Sequence, residues 1–399
     1  MNTKQLDQIL KQAVVDFGIP GVVAYAADDQ GIIYEGAYGK RSLDSDVEMT
    51  TDSVFWIASM TKAVTTVAAM QLVEQGKLHL DQPLNRILPL INDIKVMEGL
   101  DNDGQPILCE PKRQITLRHL LTHTAGFTYH FFNEDTVKYI AAKNLPDITE
   151  CKNEALMTAL AFHPGERWEY GINLEWVGKA IEAVSGQNLR DYFNEHIFNP
   201  LGMKDTDFLI QPEARSRLVG MHVHGEDQKL SQIPFEITQE PEFFMGGGGL
   251  YSTAGDYMKF LQMVLHGGTF NGKRILEKET IEEMSENQIG DLKVTALTST
   301  NPGLTNDYEA FPGMTKKWGL GFLITTEDAS TGRKAGSLSW AGLANTYFWI
   351  DPVSRITGII LTQILPFADR KVLDVADNFE ASIYEQTAKK LVSERNFHH

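Results

Sequence analysis

Cysteine is scarce in this chain. Its 399 residues include only two cysteines, Cys109 and Cys151, which excludes the framework of several disulfides that stabilises small secreted domains. The two residues also lack the closely spaced pairs that hold a structural zinc ion. We therefore expect both to be free thiols.

Basic charge is also in short supply. Lysine and arginine total 36 against 53 acidic residues, so the formal net charge at pH 7 is −17. Nucleic acids and anionic membranes are polyanions that select a basic surface, so neither is expected as a partner. No apolar run is long enough to span a bilayer, and the amphipathic N-terminal segment lacks an apolar secretory core. These features predict a cytoplasmic protein that acts on a small molecule, and they leave its oligomeric state open.

Apolar residues are present in ordinary proportion. They make up 42% of the chain, and charged residues make up 22%, which suits a large packed core. Strand-like runs flanked by helical segments occur near both ends, and the stretch between them is mainly helical. We predict an α/β sheet domain formed by residues 1–80 and 241–399, interrupted by a mainly helical domain of residues 81–240.

Hydrophobic periodicity and turn residues predict the individual elements. A hairpin is expected at residues 21–27 and 31–38, and a nearly uncharged, buried helix at residues 60–75. Further helices are predicted at residues 117–121, 153–162, 174–184, 189–197 and 375–391. The run of four glycines at residues 246–249 is interpreted as a close-packed backbone turn.

The central candidate for chemistry is Ser59-Met60-Thr61-Lys62, at the start of the helix predicted for residues 60–75. Ser59 would lie at the positive end of the helix dipole, and Lys62 follows one turn later on the same face. A serine hydroxyl needs a base to become a nucleophile, and a lysine can be that base where burial disfavours its ammonium form. The motif is short, and a polar helix start with a surface lysine is the alternative.

Two further segments favour an acyl-transfer site. Tyr170 precedes a predicted helix, and its hydroxyl there could share proton transfer with Lys62. Small residues dominate positions 339–345, at the start of a strand-like run, so this backbone can approach a substrate closely. We expect the backbone amides of Ser59 and Leu343 to bind the oxyanion that develops during acyl transfer.

These residues carry a resemblance to a known family. Ser59-x-x-Lys62, Tyr170 and Trp340-Ala341-Gly342 occur in the order and at roughly the separations seen in the serine β-lactamase and penicillin-binding-protein superfamily. Within it, the chain most resembles the family VIII carboxylesterases, which are similar to class C β-lactamases. Connecting segments at residues 115–127, 164–165 and 249–254 are similar as well, so the resemblance extends over about residues 14–366.

The resemblance implies a fold, a mechanism and a set of roles. The fold is α/β of the α+β type, β-lactamase/transpeptidase-like, with a mainly antiparallel sheet flanked by helices plus a helical domain. Ser59 would be acylated as the nucleophile, Lys62 and Tyr170 would form the proton-transfer pair, and Trp340-Ala341-Gly342 would line the substrate cleft. Which of Lys62 and Tyr170 takes the serine proton stays open, because the titration of a coupled pair belongs to both members.

Two departures from the family pattern bear on the substrate. Tyr170 is followed by Gly171 and Ile172, so Asn173 lies one position later than in the Tyr-x-Asn motif of β-lactamases. Trp340 stands where those enzymes have the lysine of Lys-Thr-Gly, which helps to hold a substrate carboxylate. Tryptophan offers apolar area and one N–H donor instead, so neutral esters are favoured over anionic substrates.

Aromatic residues near the expected cleft are candidates for its wall. An apolar wall for the acyl or alcohol group of the substrate is expected from Phe127, Tyr129, Phe131 and Phe132. Packing between the two domains is the alternative for any one of these residues.

The leading functional hypothesis is a serine carboxylesterase that hydrolyses short-chain or compact neutral esters through an acyl-enzyme on Ser59. A β-lactamase, a D-amino-acid peptidase or an acyltransferase with the same nucleophile is the alternative. A noncatalytic binding protein of the same fold is a third hypothesis. No cofactor and no metal are expected, because the pairs His119/His123 and His222/His224 lack the accompanying carboxylates of a metal site. Glu166 is expected in a salt bridge or a loop hydrogen bond.

Overall fold

The computed structural model describes residues 3–397. Its strands, numbered in chain order, are β1 (Gly21–Asp28), β2 (Gly31–Gly39), β3 (Phe55–Trp56), β4 (Val96–Leu100), β5 (Pro106–Cys109), β6 (Met221–His224), β7 (Leu230–Ile233), β8 (Tyr251–Ser252), β9 (Thr269–Phe270), β10 (Lys273–Arg274), β11 (Lys316–Trp318), β12 (Leu323–Thr325), β13 (Leu338–Gly342), β14 (Thr346–Asp351), β15 (Ile356–Leu361) and β16 (Ile364–Leu365). Its α-helices are α1 (Thr3–Val15), α2 (Thr61–Glu74), α3 (Leu117–Leu121), α4 (Glu134–Lys143), α5 (Asn173–Ser185), α6 (Leu189–Phe193), α7 (Asn199–Leu201), α8 (Pro212–Arg215), α9 (Ala254–Leu265), α10 (Lys278–Met284) and α11 (Arg370–Phe397). Short 3-10 turns lie at Ala58–Met60, Leu84–Arg86, Pro89–Asp93, Ile148–Glu150 and Asn153–Leu156, and a π-helical turn lies at Asn194–Phe198.

A seven-stranded antiparallel sheet organises the chain, in the order β11-β12-β13-β14-β15-β1-β2. Two of its strands come from the start of the sequence and five from its last third. This confirms the prediction that strand-like runs at the two ends assemble into one sheet. Together with the flanking helices, it gives the mixed α/β architecture of the β-lactamase/transpeptidase-like fold.

The sheet is buried on both faces, because alternate side chains of β1 join two separate cores. Val22 and Ala24 pack in a core that includes residues of α1 and α11. Val23 and Tyr25 pack in a larger core that includes residues of α2 and α9. The larger core is the one that supports Ser59 and its neighbours.

The stretch between the two halves of the sheet is mainly helical but not entirely so. It also contains two antiparallel strand pairs, β4 with β5 and β6 with β7. β6 pairs in parallel with β16, so this stretch joins a strand from the C-terminal part of the chain. The division into residues 1–80 with 241–399 and residues 81–240 stays a prediction.

The helix predicted at residues 153–162 is wrong. Only the 3-10 turn Asn153–Leu156 forms there, because the following backbone is bonded to distant segments. The carbonyl of Leu160 accepts a hydrogen bond from the Met97 amide at 2.9 Å, and the Ala161 amide donates to the Gly126 carbonyl at 2.8 Å. These tertiary bonds override the local helix propensity.

Other local predictions hold. The helices expected at residues 117–121 and 174–184 are α3 and α5, and the helix expected at 189–197 is α6 continued by the π-helical turn. Cys109 and Cys151 are free thiols. Among residues 3–397, no helix combines the length and the apolar character that a bilayer crossing needs.

Candidate active site

Ser59 lies on a sharp turn between a strand and a helix. β3 ends at Trp56, and the 3-10 turn Ala58–Met60 leads directly into α2. Ala58 has a φ of 44°, in the left-handed region that costs a residue with a side chain about 1 kcal/mol or more. This strained residue turns the chain so that Ser59 is presented at the N-terminal end of α2.

Lys62 lies beneath Ser59 and is 1% exposed, so it is not a surface lysine. Its Nζ donates hydrogen bonds to Ser59 Oγ at 3.0 Å, to the Tyr129 hydroxyl at 2.8 Å and to the Gly247 carbonyl at 2.6 Å. Burial lowers the pKa of Lys62 to about 7, although the nearby Glu175 carboxyl acts in the opposite direction. An amine with this pKa is partly neutral at physiological pH and can accept a proton.

Tyr170 lies next to both Ser59 and Lys62. Its ring centroid is 4.7 Å from Lys62 Nζ, and its hydroxyl accepts a hydrogen bond from Trp340 Nε1 at 3.1 Å. Burial raises the pKa of Tyr170 far above its usual range, and hydrogen bonding with Ser59 and Trp340 only partly offsets this. The phenol therefore stays protonated near neutral pH.

Strand β13 forms one wall beside Ser59. All five of its residues pair with β14, whereas β12 pairs only with Leu338 and Ser339. A Cβ on Gly342 would lie 2.4 Å from the Ile57 carbonyl oxygen, so only glycine lets this strand approach the turn that carries Ser59. The next residue, Leu343, is thereby brought to the same cleft as Ser59.

A cleft lies beside Ser59. Its lining residues are Ser59, Phe131, Phe132, Tyr170, Leu297, Tyr308, Trp340, Ala341, Gly342, Leu343 and Phe367. None of these side chains carries a charge at neutral pH. The arrangement therefore suits an uncharged, partly apolar substrate.

Phe127 and Tyr129 do not line this cleft. Phe127 is fully buried, and its ring stacks on that of Trp176 with centroids 5.9 Å apart, so it fills the core. Tyr129 is 5% exposed and lies beside Lys62, whose Nζ its hydroxyl contacts. Phe131 and Phe132, the other two aromatic candidates, do line the cleft.

A family model described as Beta-lactamase matches residues 6–381. The chain belongs to the Beta-lactamase family. It is 31% identical to the monacolin J acid methylbutanoyltransferase of Aspergillus terreus, over 96% of this chain and 95% of that protein. It is also 31% identical to the lovastatin esterase of Penicillium rubens, over 94% of this chain and 97% of that protein.

Solved structures agree with this assignment. A mutant of simvastatin synthase from Aspergillus terreus matches with a TM-score of 0.84 and 30% identity, covering 96% of this chain and 97% of that one. The family and these similarities identify the protein as an enzyme of the serine-hydrolase type. Its relatives include proteins named as acyltransferases and as an esterase.

Gly171 and Asn173, which differ from the Tyr-x-Asn motif of β-lactamases, have structural roles in this protein. A Cβ on Gly171 would lie 2.2 Å from the Phe127 carbonyl oxygen, so the residue after Tyr170 must be glycine. Asn173, one position late, is fully buried and donates from Nδ2 to the Phe127 carbonyl at 3.2 Å. The same Nδ2 lies 3.1 Å from Nδ1 of the buried His123. Asn173 thus holds the Phe127 segment in place by hydrogen bonding, and it does not line the cleft.

The remaining candidate residues lie outside the cleft. Glu166 forms the expected salt bridge, with Lys112 Nζ at 3.1 Å. His119 Nδ1 accepts from the Thr116 amide, and His224 Nε2 lies 2.7 Å from Asp369. Among the side chains that the structure describes, those of residues 3–389, no group of three histidine, cysteine or acidic residues is placed to hold a metal ion.

Sequence reasoning missed Glu175. This residue is 2% exposed and lies in the first turn of α5. Its Oε1 accepts a hydrogen bond from the Gly247 amide at 3.0 Å, and Gly247 in turn accepts from Lys62. The available signal was an acidic residue in the first turn of the helix predicted at residues 174–184, together with the glycine turn predicted at residues 246–249.

Proposed function

We propose that this enzyme transfers compact, neutral acyl groups through an acyl-enzyme on Ser59. The acyl group then passes to water, as in an esterase, or to an alcohol, as in an acyltransferase. The observation that carries the proposal is the 3.0 Å contact between Lys62 Nζ and Ser59 Oγ in a site where burial lowers the pKa of Lys62 to about 7. A serine next to a partly neutral amine has the base that nucleophilic attack needs.

The geometry supports a specific sequence of proton movements. As Ser59 Oγ bonds to the ester carbonyl carbon, its proton passes to the neutral Lys62 amine. The carbonyl electrons move onto the carbonyl oxygen, which the amides of Ser59 and Leu343 stabilise. Collapse of this intermediate breaks the bond to the alcohol oxygen, which takes up the proton held by Lys62 with the Tyr170 hydroxyl in the relay. Deacylation repeats these movements in reverse with water or an alcohol as the acceptor.

The substrate class follows from the charge and shape of the cleft. Trp340 fills the place at which related enzymes carry a carboxylate-binding lysine, and its indole N–H is already bonded to Tyr170. The uncharged lining offers no counterion to a substrate carboxylate. The name of the Aspergillus terreus relative specifies methylbutanoyl transfer, and a compact branched acyl group of this kind suits a cleft walled by Phe131, Phe132 and Phe367.

The test is to trap the acyl-enzyme and follow its fate. The protein is incubated with p-nitrophenyl butyrate, and intact mass with peptide mapping should show a butyryl adduct on Ser59. Ser59→Ala should abolish both the adduct and p-nitrophenol release. The matched control Ser330→Ala alters an exposed serine in the loop after β12 and should leave both unchanged.

The acceptor is tested in the same assay by adding a primary alcohol. Formation of the butyrate ester of that alcohol, at the expense of free butyrate, would support transfer alongside hydrolysis. Cephalosporin and D-alanyl peptide turnover should be weaker than ester turnover, because both substrates bring a carboxylate. Ester hydrolysis that persists undiminished in Ser59→Ala would refute the proposal.

A further inference from the structure

A buried acidic residue, Glu175, lies close to Lys62, the buried lysine of the site. Glu175 is contributed by the first turn of α5, where the positive end of the helix dipole favours a negative charge. Its side chain is joined to Lys62 through a single residue. The Gly247 amide donates to Glu175 Oε1 at 3.0 Å, and the Gly247 carbonyl accepts from Lys62 Nζ at 2.6 Å.

The packing around this bridge is too tight for a side chain at position 247. A Cβ on Gly247 would lie 2.2 Å from Glu175 Oε1 and 3.4 Å from the Tyr129 hydroxyl. The second carboxyl oxygen of Glu175 is buried as well. Burying a carboxyl group destabilises the folded protein, so stability alone does not explain the position of this group near Lys62.

We propose that Glu175 is a positioning residue that supplies the counter-charge for Lys62 when Lys62 takes the proton of Ser59. This inference rests on the acyl-enzyme mechanism proposed above. The proton moves from Ser59 Oγ to the Lys62 amine as the Oγ–carbon bond forms, and Glu175 exchanges no proton in the step. Its carboxylate stabilises the ammonium that appears on Lys62 in an interior where such a charge is otherwise disfavoured.

The other titratable groups around the pair do not fill this role. They are Tyr129, Tyr170, His123, Cys151 and Lys179. Burial raises the pKa of both tyrosines and of Cys151 and lowers the pKa of His123, so these four are uncharged near neutral pH. Lys179 lies one turn further along α5, and its Nζ is 4.0 Å from Glu182. Glu175 is therefore the acidic group that acts on Lys62.

The Glu175 carboxylate raises the pKa of Lys62. Burial lowers the pKa of Lys62, and the Glu175 carboxylate partly opposes this by favouring the ammonium form. Burial likewise raises the pKa of Glu175 to about 7, so above that pH the carboxylate is charged while the amine is neutral. Removing the carboxylate should lower the pKa of Lys62 further and should also make each proton transfer to it less favourable.

The experiment measures kcat/KM for p-nitrophenyl butyrate against pH in the full-length enzyme. In Glu175→Gln, whose amide oxygen can still accept from Gly247, the acidic limb should move to lower pH by about 1 unit. The plateau should fall by about tenfold or more, since the ammonium loses its counter-charge in the transition state. Glu175→Asp, which keeps the charge on a shorter side chain, should move the limb in the same direction but less far, with a smaller loss.

The matched control is Glu182→Gln on the same helix. Glu182 also accepts a backbone amide, from Leu189 at 3.0 Å, and burial also raises its pKa, but it contacts neither Lys62 nor Gly247. Its pH profile should match that of the wild type. A general disturbance of α5 would instead alter both variants alike.

The outcomes separate this inference from the function on which it rests. If Ser59 of the wild type forms no butyryl adduct, both proposals fail. If the adduct forms but neither Glu175 variant moves the acidic limb, only the role of Glu175 is overturned. An equal shift in Glu182→Gln would overturn it as well. Should Glu175→Gln fail to fold, the intermediate shift expected of Glu175→Asp decides the question, and an unmoved limb in that variant overturns the inference.

Discussion

The indole of Trp340 links substrate preference to proton transfer, and removing its N–H tests that link. Trp340 Nε1 donates to the Tyr170 hydroxyl at 3.1 Å, and the two rings meet edge to face with centroids 4.9 Å apart. Trp340→Phe keeps an aromatic ring in the wall of the cleft but cannot donate this hydrogen bond. The Tyr170 hydroxyl is then held less firmly beside Ser59.

The expected loss follows from the net value of one hydrogen bond. A typical intramolecular hydrogen bond contributes about 1 kcal/mol, and about 1.4 kcal/mol corresponds to a tenfold change in rate. We therefore expect kcat for p-nitrophenyl butyrate to fall roughly fivefold in Trp340→Phe. KM should change less, because Tyr170 acts in proton transfer rather than in holding the acyl group.

A neighbouring tryptophan provides the control. Trp318 meets Trp340 edge to face at 4.7 Å, and its Nε1 donates to the Leu121 carbonyl at 3.1 Å, away from Tyr170. Trp318→Phe makes the same chemical deletion and should lower thermal stability with little effect on kcat. Unchanged kcat in Trp340→Phe, or an equal fall in Trp318→Phe, would refute the link between the indole and Tyr170.

Two further predictions concern ionisation and stability. Burial lowers the pKa of Lys62 to about 7, and only the neutral amine accepts a proton. We therefore expect kcat/KM to fall about tenfold per pH unit below that value. A flat profile from about pH 5 to pH 9 would contradict Lys62 as the base. Glu380→Gln leaves the buried guanidinium of Arg333 without its carboxylate and should lower the free energy of unfolding in urea by about 3–5 kcal/mol. The exposed pair Arg274–Glu277 supplies the control, since Glu277→Gln should cost less than about 1 kcal/mol. Equal losses in the two variants would contradict the burial argument.

Which residues lie close together within one helical turn or one hairpin could be predicted from the sequence. Ser59 and Lys62 are three positions apart, so any helix starting there places them on one face, and the uncharged residues that follow predict that the helix is buried. The turn residues between β1 and β2 likewise predict their pairing. These features depend on local geometry, which a short stretch of sequence already specifies.

Contacts between segments that are far apart in the chain could not be predicted in the same way. Nothing near Asn153 shows that residues 160–161 will bond to the backbone at Met97 and Gly126, and a local pattern therefore predicts a helix that does not form. Phe127 and Phe131 have the same chemistry, yet one fills the core and the other lines the cleft. Side-chain type alone does not distinguish these environments, because burial is a property of the packed chain.

The sequence by itself determined the nucleophile candidate, the family resemblance and the fact that position 340 is a tryptophan rather than a lysine. Each of these depends only on residue type and on short spacings along the chain. Tertiary structure alone decided what surrounds Lys62. Tyr129, Glu175 and Gly247 are 67 to 185 residues away from it along the chain, and they meet it only when α5 and the glycine turn pack against α2. The electrostatic state of a buried amine depends on that packing, since desolvation and neighbouring charges set its pKa.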